Sequence, residues 1–323
     1  MNKNVSIILG SLVFCGSILS PKLNAQQFKS YNQAVPGETI SIDMVSVDGG
    51  SFTMGTNSPE RKSDEKPAHS VNVNSFWIGK YEITWEQYDA FVYGKFGADQ
   101  FKEASALNKL GIDAVSGATA PYVDMSFGMG KVTNPVVNIT QYAAIMYCKW
   151  LTAKTGKFFR LPTEAEWEYV CKKGKTDDVN DLKLVGWFAE NSNEKYQKIG
   201  GKNVNGLGIH DLLGNVSEWV MDQYSADYYG KSVKSNPWNV PTKLYPRVVR
   251  GGAWKDTADK LCCTSRQGSK QNWKQRDPQI PKSNWWHTNA PFIGFRVVRP
   301  KQQPTAEQIE AYWLEVIVDY GMD

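Results

Sequence analysis

RLPTEAEWEYVC, residues 160–171, reads as the entry and first turns of a helix. Pro162 presets the backbone, Thr163 offers a side-chain oxygen at the N-cap, and Glu166 three residues on completes a capping box. Trp167 can then point inward. Glu164, Glu166 and Glu168 all fall in the first turns, where the helix dipole favours negative charge. Capping therefore accounts for the three glutamates, ahead of a paired-carboxylate acid–base site.

Other elements extend from this helix in both directions. Thr140 to Thr152 places Tyr142, Ile145, Met146 and Trp150 at helical spacing. Thr84 to Val92 opens on a threonine with Gln87 three residues later, a further capping box. Met44 to Met54 reads as two short strands around a turn at Gly49-Gly50, and 70–83 as alternating strands. The charged stretch 57–69, with two prolines, reads as an exposed loop, and the Gly/Ala-rich stretch 94–130 as an irregular insertion over the core. Residues 172–245 read as mostly loop. Arg247 to Trp254 and Phe292 to Pro300 read as closing strands, with Gly251 and Gly252 freeing the backbone where the first leaves the core. At the end, Thr305 and Gln308 form a capping box. Ile309, Trp313, Leu314, Ile317 and Tyr320 follow on one helical face, which needs a cover: the rest of the domain or a partner.

The chain has 323 residues, of which 41% are hydrophobic and 22% charged, an ordinary globular balance. Its 12 Trp, 15 Tyr and 13 Phe together with 27 Gly suggest long irregular loops pinned by large side chains. The first 25 residues read as a signal peptide: Lys3, an apolar run from Val5 to Leu19, and a small residue, Ala25, before a cut at Gln26. That run is too short to span a bilayer, so no membrane span is expected after its removal. Loss of Lys3 and Lys22 with the leader takes the 37 basic residues to 35, against 33 acidic ones, a net of +2. No basic stripe interleaves with aromatics, which argues against a nucleic-acid partner. Export to the periplasm or cell surface would place Cys148, Cys171, Cys262 and Cys263 where disulfides form.

Four segments in this order carry a family resemblance: GGSFTMG (49–55), RLPTEAEWEYVC (160–171), GLGIHDLLGNVSEW (206–219), and RVVRGGAW (247–254) with GFRVV (294–298). Together they resemble the formylglycine-generating enzyme family, also called the sulfatase-modifying factor domain, over residues 42–300. The resemblance implies an α+β, C-type-lectin-like fold, irregular and loop-rich, with short antiparallel strands and a few helices. Residues 26–41 would then be an N-terminal extension and 301–323 an added C-terminal helix.

It also implies a structural calcium, since hard oxygens from side chains and turn carbonyls suit that ion. Carried over by position, its ligands would be Asp211, the carbonyls of Gly214 and Val216, and the Glu218 carboxylate. A second, weaker site would begin at Asn191 and Ser192.

Enzymes of the family oxidise a substrate cysteine with copper(I) held by two cysteines, and thiolates suit that soft ion. Those cysteines closely follow the Gly-Gly pair and lie five positions apart. Here nine residues without cysteine, Ala253 to Leu261, follow Gly251-Gly252 before Cys262 and Cys263 appear. Cys263-Thr264-Ser265-Arg266 resembles the family's structural cysteine run, whose partner sits in the helix ending at Cys171. The resemblance therefore implies a Cys171–Cys263 disulfide. Cys148 matches another family disulfide position, but Val297 stands where its partner would be, so Cys148 and Cys262 either pair with each other or stay thiols. Adjacent Cys262 and Cys263 are weak candidates for replacing the copper pair, because neighbouring strand residues face opposite ways.

His69, His210 and His287 have no metal-ligand spacing and read as loop or packing residues. Trp273, Trp285, Trp286 and His287 form a late aromatic cluster that either packs in the core or, with Trp313, meets a glycan, peptide or protein ligand. The function expected is a non-catalytic exported binding or scaffold protein of the cell envelope or secretion machinery. The alternative is an oxidase that makes formylglycine in sulfatases or another exported client.

Overall fold

The computed structural model describes residues 28–94, 118–280 and 282–313. The expected leader, most of the 94–130 insertion, and Leu314, Ile317 and Tyr320 lie outside these residues.

The architecture is α+β. Strands β1 (Tyr31–Ala34), β2 (Ser41–Val47), β3 (Gly50–Met54), β4 (His69–Val73) and β5 (Phe76–Gly79) precede helix α1 (Trp85–Tyr93). Helices α2 (Gln141–Thr155) and α3 (Glu164–Lys173) follow, then β6 (Gly186–Trp187), β7 (Leu213–Gly214), β8 (Ser217–Gln223), β9 (Arg247–Arg250), β10 (Arg266–Gly268), β11 (Ile293–Gly294) and β12 (Val298–Pro300). Helix α4 (Ala306–Trp313) is last. One sheet has the order β1-β2-β5-β12, all antiparallel, and a second has β10-β9-β8-β11, with β11 parallel to β8. The segment expected as an extension thus contributes an edge strand, β1.

Gly49-Gly50 is not a hairpin turn. Val47 faces Phe76 and Gly50 faces Val73, one unbroken antiparallel register in which β2 and β3 are halves of a bent strand. The bend sits at Gly49, where a Cβ would lie 2.4 Å from the Val73 carbonyl oxygen, so only glycine fits.

The capping boxes form as the spacing predicts. Thr84 and Gln87 close α1, Thr163 and Glu166 close α3, and Thr305 and Gln308 bond reciprocally at the head of α4. Thr140 caps α2, which ends at Gly156 in the left-handed conformation (φ +66°).

The β10-β9-β8-β11 sheet divides the core in two. Trp219, Met221 and Val249 face the side of α2, whereas Val220 and Val248 face the side of α3. That alternation follows from the period-two geometry of strands, and it leaves every residue of β8 buried.

Helix α4 packs back on the domain. Ile309 and Trp313 are buried, Trp313 meets Phe158 edge-on at 5.3 Å, and Tyr312 stacks on Trp238 at 5.0 Å. The described part of its apolar face is therefore covered by its own chain rather than left open for a partner.

Candidate functional site

Strand β9 ends at Gly251 (φ +93°) and Gly252 (φ +70°), and a Cβ on Gly251 would lie 2.7 Å from the Leu212 carbonyl oxygen. The chain leaves the sheet there and returns at β10. Beside this excursion lies a cleft of about 740 Å³ lined by Ser217, Tyr224, Gly251, Gly252, Asp256 and Arg266, with Lys62, Lys260 and Lys270 on its walls. It occupies the stretch where the resemblance puts the copper-binding cysteines, yet among the described residues none that lines it is a cysteine.

The sulfurs lie elsewhere. Cys263 is bonded to Cys171 of α3, with Cα atoms 5.5 Å apart. Cys262 is half-buried beside the Thr264 hydroxyl (3.4 Å), and Cys148 is fully buried in α2, its thiol pushed up by burial. Cys148 and Cys262 are not joined to each other.

Beneath the cleft runs a buried charge network. Arg266 grips Glu164 with two bonds of 2.7 Å. Arg250 reaches Glu164 at 3.2 Å and Glu168 at 2.8 Å, and also donates to the Cys263 carbonyl (2.6 Å). Both arginines and both glutamates are buried. Burial pushes the Glu168 carboxyl up, but the charges of Arg250 and Lys172 outweigh it and hold the carboxyl below its usual range. Glu166 does cap α3, and it also pairs with Arg160 at 2.6 Å. Capping thus explains one of the three glutamates; the other two anchor β9 and β10 to α3. The 57–69 stretch is not simply an exposed loop either. Glu65 is fully buried, bonding Arg61 and the Thr264 hydroxyl (2.6 Å).

The expected calcium ligands meet a different neighbourhood. Glu218 accepts from Arg296 through both carboxylate oxygens (2.5–2.8 Å) and from the Trp167 indole (2.9 Å). One oxygen of Asp211 accepts from the Gly200 amide (2.6 Å), and the other is buried with no hydrogen-bond partner. Glu82, a residue sequence reading missed, is buried nearby. It accepts from Asn215 Nδ2 (2.7 Å) and the Val216 amide (3.1 Å), and burial, then the charges of Asp211 and Glu218, push its carboxyl well up. Asp211's orphaned oxygen suits a cation, whereas Glu218 already has its counter-ion. Asn191 uses its side chain on the Phe188 amide and Gly186 carbonyl, and Ser192 donates to the Trp254 carbonyl, so both hold loop structure. Among the described residues, no group of three or more His, Cys, Asp or Glu is placed to hold a metal.

The late aromatics are chiefly core. Trp273, Trp286 and Trp313 are buried, and half-buried Trp285 packs on Tyr142 at 4.9 Å. His287 is buried between Trp219 and Trp273.

Residues 32–301 match the Sulfatase-modifying factor enzyme 1-like domain. The chain belongs to this family. Relatives of this sulfatase-modifying factor domain protein carry different names. It is 28% identical over 264 residues to the Formylglycine-generating enzyme of Bos taurus, covering 68% of each chain. To the Inactive C-alpha-formylglycine-generating enzyme 2 of Bos taurus it is 29% identical over 282 residues, 76% of this chain and 87% of that protein. To the Serine/threonine-protein kinase Pkn1 of Chlamydia trachomatis it is 30% identical over 244 residues, which is 72% of this chain but only 37% of that protein's length. The same fold occurs in Treponema denticola variable protein 1 (TM-score 0.60, 23% identity, 84% of this chain and 99% of that one). It occurs also in PvdO of Pseudomonas aeruginosa (TM-score 0.60, 24% identity, 84% and 98%).

Arg250, Arg266 and Glu82 are the site-building residues sequence reading missed. The available signal was a cation closing an apolar strand in RVVR, which a buried strand tolerates only with a partner.

Proposed function

We propose that this sulfatase-modifying factor domain protein is a non-catalytic, exported binding or scaffold component of the cell envelope or secretion machinery. It would take a protein partner, glycan or peptide in the cleft beside Gly251-Gly252. One observation carries the reading: among the described residues the cleft lining has no sulfur, and Cys263 is held in a disulfide, leaving Cys262 as a lone thiol in this segment. Two converging thiolates are what a copper(I) site of this family requires, and the residues present do not fit that ion. Export is supported by the leader-like first 25 residues and by the disulfide. Among the described residues, no helix is long and apolar enough to cross a membrane.

The test is co-expression with an exported Cys-X-Pro-X-Arg peptide and added copper, followed by mass spectrometry. The expected result is unmodified cysteine and no copper(I) bound in stoichiometric amount. Aldehyde formation that disappears in Cys262→Ser would establish the alternative, an oxidase acting on sulfatases or another exported client, which the family membership favours.

A structural calcium at Asp211, with the carbonyls of Gly214 and Val216, belongs to the same proposal. The orphaned Asp211 oxygen supports it, and the pairing of Glu218 with Arg296 weighs against it. A melting temperature that rises with calcium in the wild type and not in Asp211→Ala would support the site; no rise in the wild type would remove it.

A further inference from the structure

On the α2 side of the core a small cavity of about 50 Å³ opens among the first turn of α2, Trp219, Arg247, His287 and Trp313, and Ser269 lines both it and the cleft. That volume is room for a few non-hydrogen atoms, the head of a ligand rather than a whole one.

Its charge balance is unusual. Arg247 is only 6% exposed. Its Nε donates to the Leu244 carbonyl at 3.2 Å, but Nη1 is buried with no hydrogen-bond partner. Burial lowers its pKa to about 10, and no carboxylate among the described residues acts in the opposite direction. The contrast with Arg250, Arg266 and Arg296 is direct, since each of those grips a glutamate. Among the described residues, no Asp or Glu lines the cavity. His287 Nδ1 is also buried without a partner, and burial, then the Lys274 charge, keeps the imidazole neutral.

The cavity abuts the N-terminal turn of α2, a fifteen-residue helix, through Thr140, Gln141 and Tyr142. Helix N-termini present backbone N–H groups and the positive end of the dipole. An uncompensated buried guanidinium is costly unless something pairs with it. A helix N-terminus, an unpartnered buried arginine and aromatic walls together make a receptor for a small planar anion, and Arg matches carboxylate geometry with two parallel bonds.

We infer that this cavity is an oxyanion-binding site that takes the carboxylate head of an organic acid or peptide terminus onto Arg247. The bound anion would neutralise Arg247 and tie the first turn of α2 to β9.

Trp219 and Trp313 line the cavity, so intrinsic fluorescence reports on it. Titrating the full chain with acetate, and separately with selenate, should give a saturable change that chloride at equal ionic strength does not. Arg247→Gln should weaken the response at least tenfold. Crystals of the wild type soaked in selenate provide a second readout that needs no variant: an anomalous selenium peak beside Arg247. A response to acetate alone assigns the site to carboxylates, and a response to both assigns it to oxyanions in general. Three results would overturn the inference: no saturable change in the wild type, unchanged affinity in Arg247→Gln, or a crystal structure in which a carboxylate of the chain itself, such as that of Glu315, occupies Arg247.

Discussion

Cys171, in the last turn of α3, is bonded to Cys263 on the segment that follows Gly251-Gly252, across 92 residues of sequence. The bond closes the loop carrying β6 to β9 and pins the floor of the cleft to the same helix that holds Glu164 and Glu168. Cross-linking a loop of this length stabilises mainly by restricting the unfolded chain, and removal of such a bond costs about 2–5 kcal/mol. Cys171→Ser with Cys263→Ser should therefore lower the unfolding free energy by that amount, read as a lower denaturant midpoint at unchanged or larger m-value. Thiol counting provides a second check. Of the four cysteines beyond residue 27, two should react after denaturation without reductant, and only Cys262 should react quickly in the native protein, since Cys148 is fully buried.

The Arg250–Glu168 pair, 2.8 Å apart with both side chains buried, gives a sharper mutational signature. Truncating one partner of a buried pair leaves an uncompensated charge and costs about 3–5 kcal/mol. Glu168→Ala should destabilise by that order. Glu168→Ala combined with Arg250→Met should cost clearly less than the sum of the two single changes, because the stranded charge is gone. Additive losses in urea unfolding would contradict the geometry.

Asp222 sets a pH dependence of definite sign. Its carboxylate accepts from the Glu164 amide (2.7 Å) and the Asn239 amide (2.8 Å), yet burial, then the charge of Glu164, raises its pKa to about 8. The unfolded value is about 3.9. Between those limits the folded state holds a proton that the unfolded state has lost. This contribution is full below about pH 4 and disappears as pH rises through about 8. The melting temperature should fall from pH 5 to pH 8.5, and Asp222→Asn should flatten that slope. A wild-type profile that rises over this range would be inconsistent with a raised Asp222.

Trp313 fastens α4 to the domain through Phe158, while Tyr312 stacks on Trp238 and lies 5.1 Å from the Arg160 guanidinium. Trp313→Ala removes a large buried ring, a change worth about 3–5 kcal/mol at a fully packed site. Because α4 is terminal, the loss should appear locally. Amide exchange in 306–313 should accelerate at least tenfold while that of β8 stays unchanged. Unaltered exchange in α4 would show that other contacts hold it.

Much of the fold was legible because it is written in local chemistry. Capping boxes at Thr84, Thr163 and Thr305 need only residues three apart, and all three form. Gly251 and Gly252 announced a backbone that no side chain could follow. The site was less legible. Glu164 and Glu168 looked like helix-dipole residues, and their true partners, Arg266 and Arg250, lie 102 and 82 positions away. Nothing in a twelve-residue window distinguishes a solvated glutamate from one gripped by a distant guanidinium. Gly49-Gly50 misled for a related reason, since a kink within one long register and a hairpin turn share the same residues.

By itself, then, the sequence determined the family, the helix entries and the missing cysteine pair after Gly251-Gly252, because each depends on residue identity at short spacing. Tertiary structure alone decided that Glu218 belongs to Arg296 and that the late tryptophans are mainly core. It also decided that Ile309 and Trp313 of α4 pack on their own chain and that Arg247 stands buried with no carboxylate among the described residues beside it. The physical reason is that burial and charge pairing are properties of neighbours in space, and in this loop-rich fold those neighbours are separated by most of the chain.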